Sequence, residues 1–251
     1  MDRALQATFD RSQRITDSVI VPITDDRIWR ENLGTLRPLD LPTGPILVIA
    51  PHPDDETLGA GALIATLSAQ ATRVIVVAAT DGENAYDLPP AGRIDLGLIR
   101  EREQRKALGL LGVQPDSVIR LRLTDSGLMG QRSELERRVM EVAEPGMTIL
   151  APWQGDFHPD HVACAHVACS VAQAKGLALI SYFFWTWHRG SPETLDGLPL
   201  RRFIPTFDAR AAKAQAIGQH RSQFESESGD PILNDRLIAP IYWDFEVFLS
   251  A

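Results

Sequence analysis

The stretch Ile46-Leu47-Val48-Ile49-Ala50-Pro51-His52-Pro53-Asp54-Asp55-Glu56 joins five aliphatic residues directly to a short run of histidine, proline and acids. A short unbroken aliphatic run is typical of a strand buried on both faces, as in a parallel sheet. In open parallel sheets, ligands bind beyond the carboxyl ends of the strands. The stretch therefore predicts a buried strand that ends at a ligand-binding edge.

The same alternation continues on the carboxyl side of this stretch. Helical patterns separate further apolar strands, and such alternation implies an open, mostly parallel sheet with helices on both faces. The predicted fold class is α/β, Rossmann-like. The predicted strands are 46–50, 73–79, 118–121, 147–151 and 178–184, and the predicted helices are 57–70, 98–111, 133–143 and 160–175.

The length of 251 residues favours one large domain over two. We expect a single catalytic domain over residues 1–251. Its α/β body would span residues 46–251. Residues 1–45 contain scattered charges and several prolines, a pattern that predicts an N-terminal helix and an irregular arm.

The charge balance argues against nucleic-acid binding. The chain has 33 acidic and 25 basic residues, a net charge of -8, whereas phosphate binding requires clustered Lys and Arg. No apolar run reaches membrane-spanning length. The two cysteines, Cys164 and Cys169, are poorly spaced for a disulfide, which favours a reducing cytoplasm. The expected partner is a small molecule, and the sequence does not indicate the oligomeric state.

A second polar segment, residues 153–161, follows the predicted strand 147–151. If that strand lies beside strand 46–50, the two segments open on one cleft. His52, Asp55 and His161 would then offer the three protein ligands that a catalytic zinc needs, with one position left for water. A lone His-Pro-Asp is usually just a turn. Two of them, each placed directly after a buried strand, favour a metal site.

The two segments resemble the signatures of a known family. Pro51-His52-Pro53-Asp54-Asp55-Glu56 and His158-Pro159-Asp160-His161 are similar to the two motifs of the PIG-L/LmbE-like de-N-acetylases, and the similarity extends in order from about Ile46 to Phe184. The resemblance implies a Zn²⁺-dependent deacetylase that removes an N-acetyl group from an amino sugar or a sugar-containing metabolite. Another divalent metal such as Fe²⁺ is an alternative.

The resemblance also implies a role for each motif residue. His52, Asp55 and His161 would hold the zinc, and Asp54 would be the general base for the zinc-activated water. His158 would face the substrate carbonyl, and Asp160 would orient a histidine. Each role has a physical warrant, since a carboxylate can accept a proton from water and a protonated imidazole, kept charged by a neighbouring carboxylate, can share the charge of an oxyanion. From the residues alone, Asp54 and Asp55 are interchangeable as the base.

Outside the motifs the sequence leaves several roles open. Arg100 could contact substrate hydroxyls or form a surface ion pair on its helix. Trp185 and Trp187 could stack on a sugar or cover the edge of the core, and His188, next to them, could be a polar neighbour. We expect Glu56 to be a helix N-terminal acid. His220, assigned to a helix that begins near Ala209, is expected at the surface.

Two other functions compete with the leading one. The chain could be an amidase for a non-sugar amide or a thiol conjugate, because the loops that form the pocket decide the substrate. It could also be a non-catalytic Rossmann-like ligand-binding module. Against the second alternative, no Gly-x-Gly-x-x-Gly follows the first strand.

Overall fold

The computed structural model describes residues 22–225 and 231–250. Its strands are β1 (Ile46–Ala50), β2 (Val74–Thr80), β3 (Val118–Leu123), β4 (Thr148–Pro152), β5 (Ala178–Tyr182), β6 (Leu200–Phe203) and β7 (Glu246–Ser250). They form one seven-stranded sheet in the order β3-β2-β1-β4-β5-β7-β6.

The first five strands of the chain pair in parallel. β7 is antiparallel to both β5 and β6, and β6 forms the edge strand on that side of the sheet. The α/β prediction is therefore confirmed. The prediction missed β6 and β7, because β6 carries two arginines in four residues and β7 is only partly apolar, so neither shows the continuous aliphatic run of a central parallel strand.

Helices connect the parallel strands and cover both faces of the sheet. They are α1 (Asp26–Leu33), α2 (Asp55–Ala69), α3 (Pro90–Leu110), α4 (Arg132–Val142), α5 (Pro159–Lys175), α6 (Thr186–Arg189), α7 (Phe207–Ile217), α8 (Arg221–Phe224) and α9 (Asp235–Ile238). Short 3₁₀ turns occur at Pro115–Ser117, Pro192–Leu195 and Ala239–Tyr242.

The alternating side chains of β1 enter two separate apolar cores. Ile46 and Val48 belong to the core formed with α2, α3 and α7. Leu47 and Ile49 belong to the core on the opposite face, formed with α4 and α5. All five residues of β1 are buried, and each fully buried aliphatic side chain contributes about 1.5–3 kcal/mol to folding. The strand that precedes the histidine motif is therefore fixed from both sides.

β1 lies between β2 and β4, so the strand order reverses at this point. The carboxyl ends of β1 and β4 are direct neighbours, with Ile46 opposite Thr148 and Val48 opposite Leu150. This adjacency is the one on which the predicted convergence of the two histidine segments depends. A crevice at a reversal of strand order is the usual ligand-binding position in such sheets.

The described part of the N-terminal arm packs on the body. Trp29 of α1 is fully buried and donates its indole N–H to the Trp187 carbonyl (3.0 Å). Farther along, Leu39 N–H donates to the Arg202 carbonyl. Residues 1–21 of the predicted arm lie outside the described residues. Within the described ranges, no helix is both long enough and apolar enough to cross a membrane.

Candidate metal and catalytic site

The first loop, residues 51–56, begins where β1 ends. Thr80, at the end of neighbouring β2, donates both its backbone N–H and its hydroxyl to the Pro51 carbonyl. Asp55 Oδ2 accepts from His52 N–H (2.9 Å) and lies 3.0 Å from His52 Nδ1. These contacts fold the loop into a tight turn that places His52 and Asp55 side by side.

Asp54 adopts a strained backbone conformation in this turn, with φ 133° and ψ -30°. Such a conformation costs a non-glycine residue about 1–3 kcal/mol and is concentrated at functional sites. Arg100 of α3 donates to Asp54 Oδ2 (3.2 Å) and to the Pro53 carbonyl (2.9 Å). Burial raises the pKa of Asp54 to about 8, against the opposing effect of the Arg100 charge.

Helix α2, which starts at Asp55, is interrupted at Ala60, where φ is -145°. The interruption frees the N–H groups of Ala62 and Leu63, and both donate to the buried carboxylate of Glu246 on β7 (2.9 Å each). Lys213 of α7 donates to the same carboxylate (2.6 Å). The antiparallel strand β7 thus supports the helix that begins inside the first loop.

The second loop, residues 153–161, follows β4 and is organised by Asp156. The Asp156 carboxylate is fully buried and accepts hydrogen bonds from Phe184 N–H, Thr186 N–H and the Thr186 hydroxyl. It also lies 2.7 Å from Nδ1 of His161. Asp156 therefore fixes the ring of His161, whose Nε2 is left to face the first loop.

The two loops meet at the carboxylate of Asp55. One oxygen lies 3.0 Å from His52 Nδ1 and the other lies 3.2 Å from His161 Nε2. His161 Nε2 is buried and makes no hydrogen bond, even though the Asp55 oxygen is this close. Nitrogen atoms of His52, His158 and His161 also lie within 4.8 Å of one another. The structure thus brings the three predicted metal ligands together.

These residues fit a divalent metal ion. Buried imidazoles and carboxylates are the donors that zinc takes, and an unpaired buried nitrogen normally costs free energy unless a partner is supplied. Burial lowers the pKa of His161, but Asp55 and Asp156 raise it more, to about 9. A cation bound between the loops would take the place of the extra proton on the His161 ring. A His/Asp group that could bind a metal is therefore present.

His52 has further carboxylate neighbours. Its Nε2 lies 3.2 Å from Asp160 Oδ2 and 3.2 Å from Asp125 Oδ1. Asp160 is itself fixed by the N–H groups of Ser126 and Leu128, which donate at 2.7 and 3.0 Å. The histidine that Asp160 contacts is thus His52. Burial lowers the pKa of His52, but the contacts with these carboxylates raise it overall.

His158 differs from the predicted charged imidazole. Its Nδ1 accepts the N–H of Asp160 (3.2 Å), so a proton on the neutral ring is carried at Nε2. No carboxylate of the described residues contacts the ring, while burial and the charges of His52 and His161 hold the pKa of His158 well below its usual range. The expectation that a carboxylate keeps His158 protonated is wrong, because Asp160 turns its side chain to His52.

A cavity of about 270 Å³ opens beside His52 and Asp55 and is lined by residues of both loops. Asp54, Asp55 and Asp125 line it on one side, and Trp185 and Arg189 line it near His158. The Trp185 ring stacks on His158 at 5.9 Å, and the Arg189 guanidinium lies over it at 4.8 Å. Trp187 is instead buried among apolar residues, against Trp29.

The structure also places the polar residues whose roles the sequence left open. Arg100 is buried and pairs with Asp54, so the surface ion pair is excluded. Glu56 lies in the first turn of α2, as expected, and it is fully buried and accepts a hydrogen bond from Gln104 (3.0 Å). His220 was expected at the surface of a helix, but it is buried and lies beyond the end of α7 at Ile217. His188 is also buried.

Sequence reasoning missed Asp125, Asp156 and Arg189. Asp125 follows β3, so the rule that polar residues after a strand face the ligand edge could have found it. Asp156 stands in the second motif segment, but its position two residues before His158 carries no recognisable spacing. For Arg189 no sequence signal was available. Asp81, the first residue after β2, pairs with Arg122 (2.9 Å).

Comparison with known proteins agrees with this site. The profile of the PIG-L family, described as GlcNAc-PI de-N-acetylase, matches residues 47–172, which include both loops. The chain belongs to this family. The family match ends before β5, so it covers neither the cavity wall at Trp185 nor the antiparallel strands.

Two similar proteins carry the name 1D-myo-inositol 2-acetamido-2-deoxy-alpha-D-glucopyranoside deacetylase. That of Streptomyces avermitilis is 31% identical over 160 residues, which cover 53% of this chain and 54% of the relative. This chain therefore spans about half the length of that protein. That of Rhodococcus opacus is 30% identical over 236 residues and covers 71% of this chain and 81% of the relative.

A solved structure of N,N'-diacetylchitobiose deacetylase from Pyrococcus horikoshii has the same fold, with a TM-score of 0.57. It is 24% identical, and the alignment covers 80% of this chain and 79% of that chain. At this identity the likeness shows the fold alone.

Proposed function

We propose that this protein is a metal-dependent hydrolase that removes an N-acetyl group from an amino sugar or a sugar-containing metabolite. The observation that carries the proposal is the Asp55 carboxylate, which lies between His52 and His161 and lines a cavity. Family membership and the names of the Streptomyces avermitilis and Rhodococcus opacus relatives support a sugar N-acetyl substrate.

His52, Asp55 and His161 would hold the metal, and zinc suits this set of two imidazoles and one carboxylate. The metal would supply Lewis acidity, which polarises the amide carbonyl and makes water a better nucleophile near neutral pH. Asp156 would keep His161 in the orientation for binding, because a histidine ligand is usually fixed through its second ring nitrogen.

Asp54 would act as the general base, taking a proton from the attacking water and passing it to the leaving amine. Burial raises the pKa of Asp54 and the Arg100 charge opposes this rise, which suits a carboxylate that accepts a proton and then returns it. Arg100 fixes one carboxylate oxygen and leaves the other available to the cavity. The strained backbone of Asp54 supports a functional role for this residue rather than for Glu56.

His158 would donate a hydrogen bond from Nε2 to the carbonyl oxygen as negative charge develops there. A neutral imidazole is sufficient for this task, because a preorganised donor in a buried site stabilises an oxyanion without carrying full charge. The backbone N–H of Asp160 selects the required tautomer by donating to Nδ1. Asp160 itself would orient His52 through its side chain.

The test is release of free amine from N-acetylglucosamine, N,N'-diacetylchitobiose and an inositol glycoside of N-acetylglucosamine. Protein loaded with zinc or with Fe²⁺ should release amine and acetate in equal amounts. The same protein, dialysed against a chelator, should be inactive until metal is returned. A metal-loaded protein that hydrolyses none of the three substrates, while it hydrolyses a simple non-sugar N-acetyl amide, would contradict the sugar assignment.

The single catalytic domain over residues 1–251 and a cytoplasmic location remain predictions. The two cysteines, Cys164 and Cys169, are free in the structure. The oligomeric state is open to measurement by sedimentation.

A further inference from the structure

Arg189 is a cation of the cavity that lacks a carboxylate partner among the described residues. Its guanidinium makes one hydrogen bond, to the Phe157 carbonyl at 3.3 Å. The other arginine of the cavity, Arg100, is paired with Asp54. Burial lowers the pKa of Arg189 against the opposing effect of Asp156, which is the direction expected for a charge with incomplete compensation. Arginine nevertheless remains charged.

The rings of His52, His158 and Trp185 form a row that leads from the proposed metal site to Arg189. The His158 ring centroid lies 4.9 Å from that of His52 and 5.9 Å from that of Trp185. The Arg189 guanidinium then lies 4.8 Å from the Trp185 centroid. Arg189 and His52 therefore lie at opposite ends of this row and line the same cavity.

The Trp185 ring packs against Arg189 and His158 and is poorly placed to stack on a sugar. The indole is about nine-tenths buried, stacked on His158 and covered by the guanidinium, so little of its face is left for stacking on a pyranose. A planar guanidinium held against an aromatic face is preorganised and keeps several N–H donors free. Carboxylate and phosphate groups match these donors and can accept two hydrogen bonds at once.

We propose that Arg189 binds a carboxylate or phosphate group carried by the substrate, so that this site acts on an acidic N-acyl amino sugar. The inference rests on the proposed function and adds the substrate class to it. Arg189 would be a specificity-determining residue, with Trp185 holding its guanidinium in place.

Direct binding tests the inference without turnover. Calorimetric titration compares glucosamine with two acidic amines, glucosamine 1-phosphate and muramic acid, which carry a phosphate and a carboxylate. The zinc-loaded wild type should bind at least one acidic sugar about ten-fold more tightly than glucosamine. Which of the two gains affinity identifies the anion. Inorganic phosphate alone should bind more weakly than glucosamine 1-phosphate, because it lacks the contacts of the sugar.

Three variants assign this preference to Arg189. Arg189→Gln should reduce the acidic-to-neutral affinity ratio to near one, and Arg189→Lys should restore part of it. Arg210→Gln removes the same charge from an exposed position on α7 and should keep the wild-type ratio. A substitution that disturbs the whole cavity should weaken binding of acidic and neutral sugars alike, and it would therefore leave the affinity ratio unchanged.

The inference is overturned if wild type shows no preference, if Arg189→Gln keeps the preference, or if free phosphate binds as tightly as the sugar phosphate. Amine release from neutral N-acetylglucosamine separates this failure from that of the proposed function. Hydrolysis without any acidic preference defeats only the Arg189 inference. An Arg189-dependent preference without hydrolysis of any N-acetyl sugar defeats the proposed function and leaves the anion site.

Discussion

The two loops of the site are each supported by a buried carboxylate, but at different distances from the proposed metal ligands. In the second loop, Asp156 contacts the ring of His161 directly. In the first loop, Glu246 accepts from the N–H groups of Ala62 and Leu63, well along the helix that starts at Asp55. The second loop is thus organised from within, and the first from a distant strand.

The backbones of the loops differ in a related way. Both contain a non-glycine residue with positive φ, Phe157 at 52° and Asp54 at 133°. The value of Phe157 lies in the ordinary left-handed region, whereas that of Asp54 lies well outside it. We infer that backbone strain is concentrated at Asp54, the proposed base, while His161, a proposed metal ligand, lies in a relaxed, hydrogen-bonded segment. The comparison predicts that chemistry, stability and metal affinity respond to different substitutions.

The largest expected effect is on turnover at the strained residue. Asp54→Asn should lower kcat by about 10² to 10⁴-fold, because the base is lost while the shape of the loop is kept. Zinc content, measured by mass spectrometry of the metal, should equal that of wild type. Asp81→Asn, at a neighbouring strand end but paired with arginines, is the control and should stay active. Substantial activity in zinc-loaded Asp54→Asn would assign the base to another residue.

Glu246→Gln should act on stability. It leaves the buried Lys213 charge uncompensated, which typically costs about 3 kcal/mol. Urea unfolding at neutral pH measures the loss, and the folded variant should keep the zinc affinity of wild type. The double variant Lys213→Met with Glu246→Gln should recover part of the stability, since no unpaired charge remains. Unchanged stability in Glu246→Gln would show that the Glu246 carboxylate does not stabilise the helix that begins in the first loop.

Asp156→Asn should act on metal affinity instead. Loss of the charge that orients His161 should weaken zinc binding by about 10 to 100-fold, as for other partners of histidine ligands. Competition with a chromophoric chelator measures the dissociation constant, and Glu246→Gln is the matched control. If both variants weaken zinc equally, the distinction between direct and distant support is wrong.

The smallest expected effect concerns His188, which packs on Phe184 beside the second loop. Burial, helped by the charge of Arg189, lowers the pKa of His188 to about 3. Below the unfolded pKa of about 6.5, the unfolded chain binds a proton that the folded chain refuses. Stability therefore falls as the pH decreases towards 3, by up to about 1.4 kcal/mol per pH unit.

His188→Phe should reduce the loss of stability between pH 7 and pH 5, as measured by urea unfolding at both values. His166→Gln, at an exposed position on α5, is the control; desolvation and the charge of Arg132 also lower the pKa of His166, so this variant should reduce the loss by less than His188→Phe does. An identical pH dependence in His188→Phe and wild type would show that His188 is protonated in the folded protein.

The parallel part of the fold was predictable because its strands are continuous aliphatic runs. Ile46–Ala50 and Thr148–Pro152 are wholly buried, and their sequences could form little else. The strand Glu246–Ser250 was missed because it is only partly apolar and begins with a buried acid, whose partners Lys213, Ala62 and Leu63 are distant in sequence. The α/β class and the convergence of both motifs thus followed from short-range sequence, and the antiparallel edge did not.

The motif residues of the site were predictable, but their partners were not. His52, Asp55 and His161 stand next to strand ends, where topology alone gathers side chains. Arg100 reaches Asp54 from the middle of α3, and a helix face cannot be assigned to a cavity without the packing angle of that helix. The tautomer of His158 likewise depends on one hydrogen bond from the Asp160 backbone.

Metal content shows whether the two loops hold one metal ion between them. Wild type, His52→Ala and His161→Ala are loaded with zinc, desalted and analysed for metal and for folded content. We predict about one zinc ion per wild-type chain and almost none in either folded variant, because each loop supplies a required ligand. Full zinc occupancy in either variant would contradict the account.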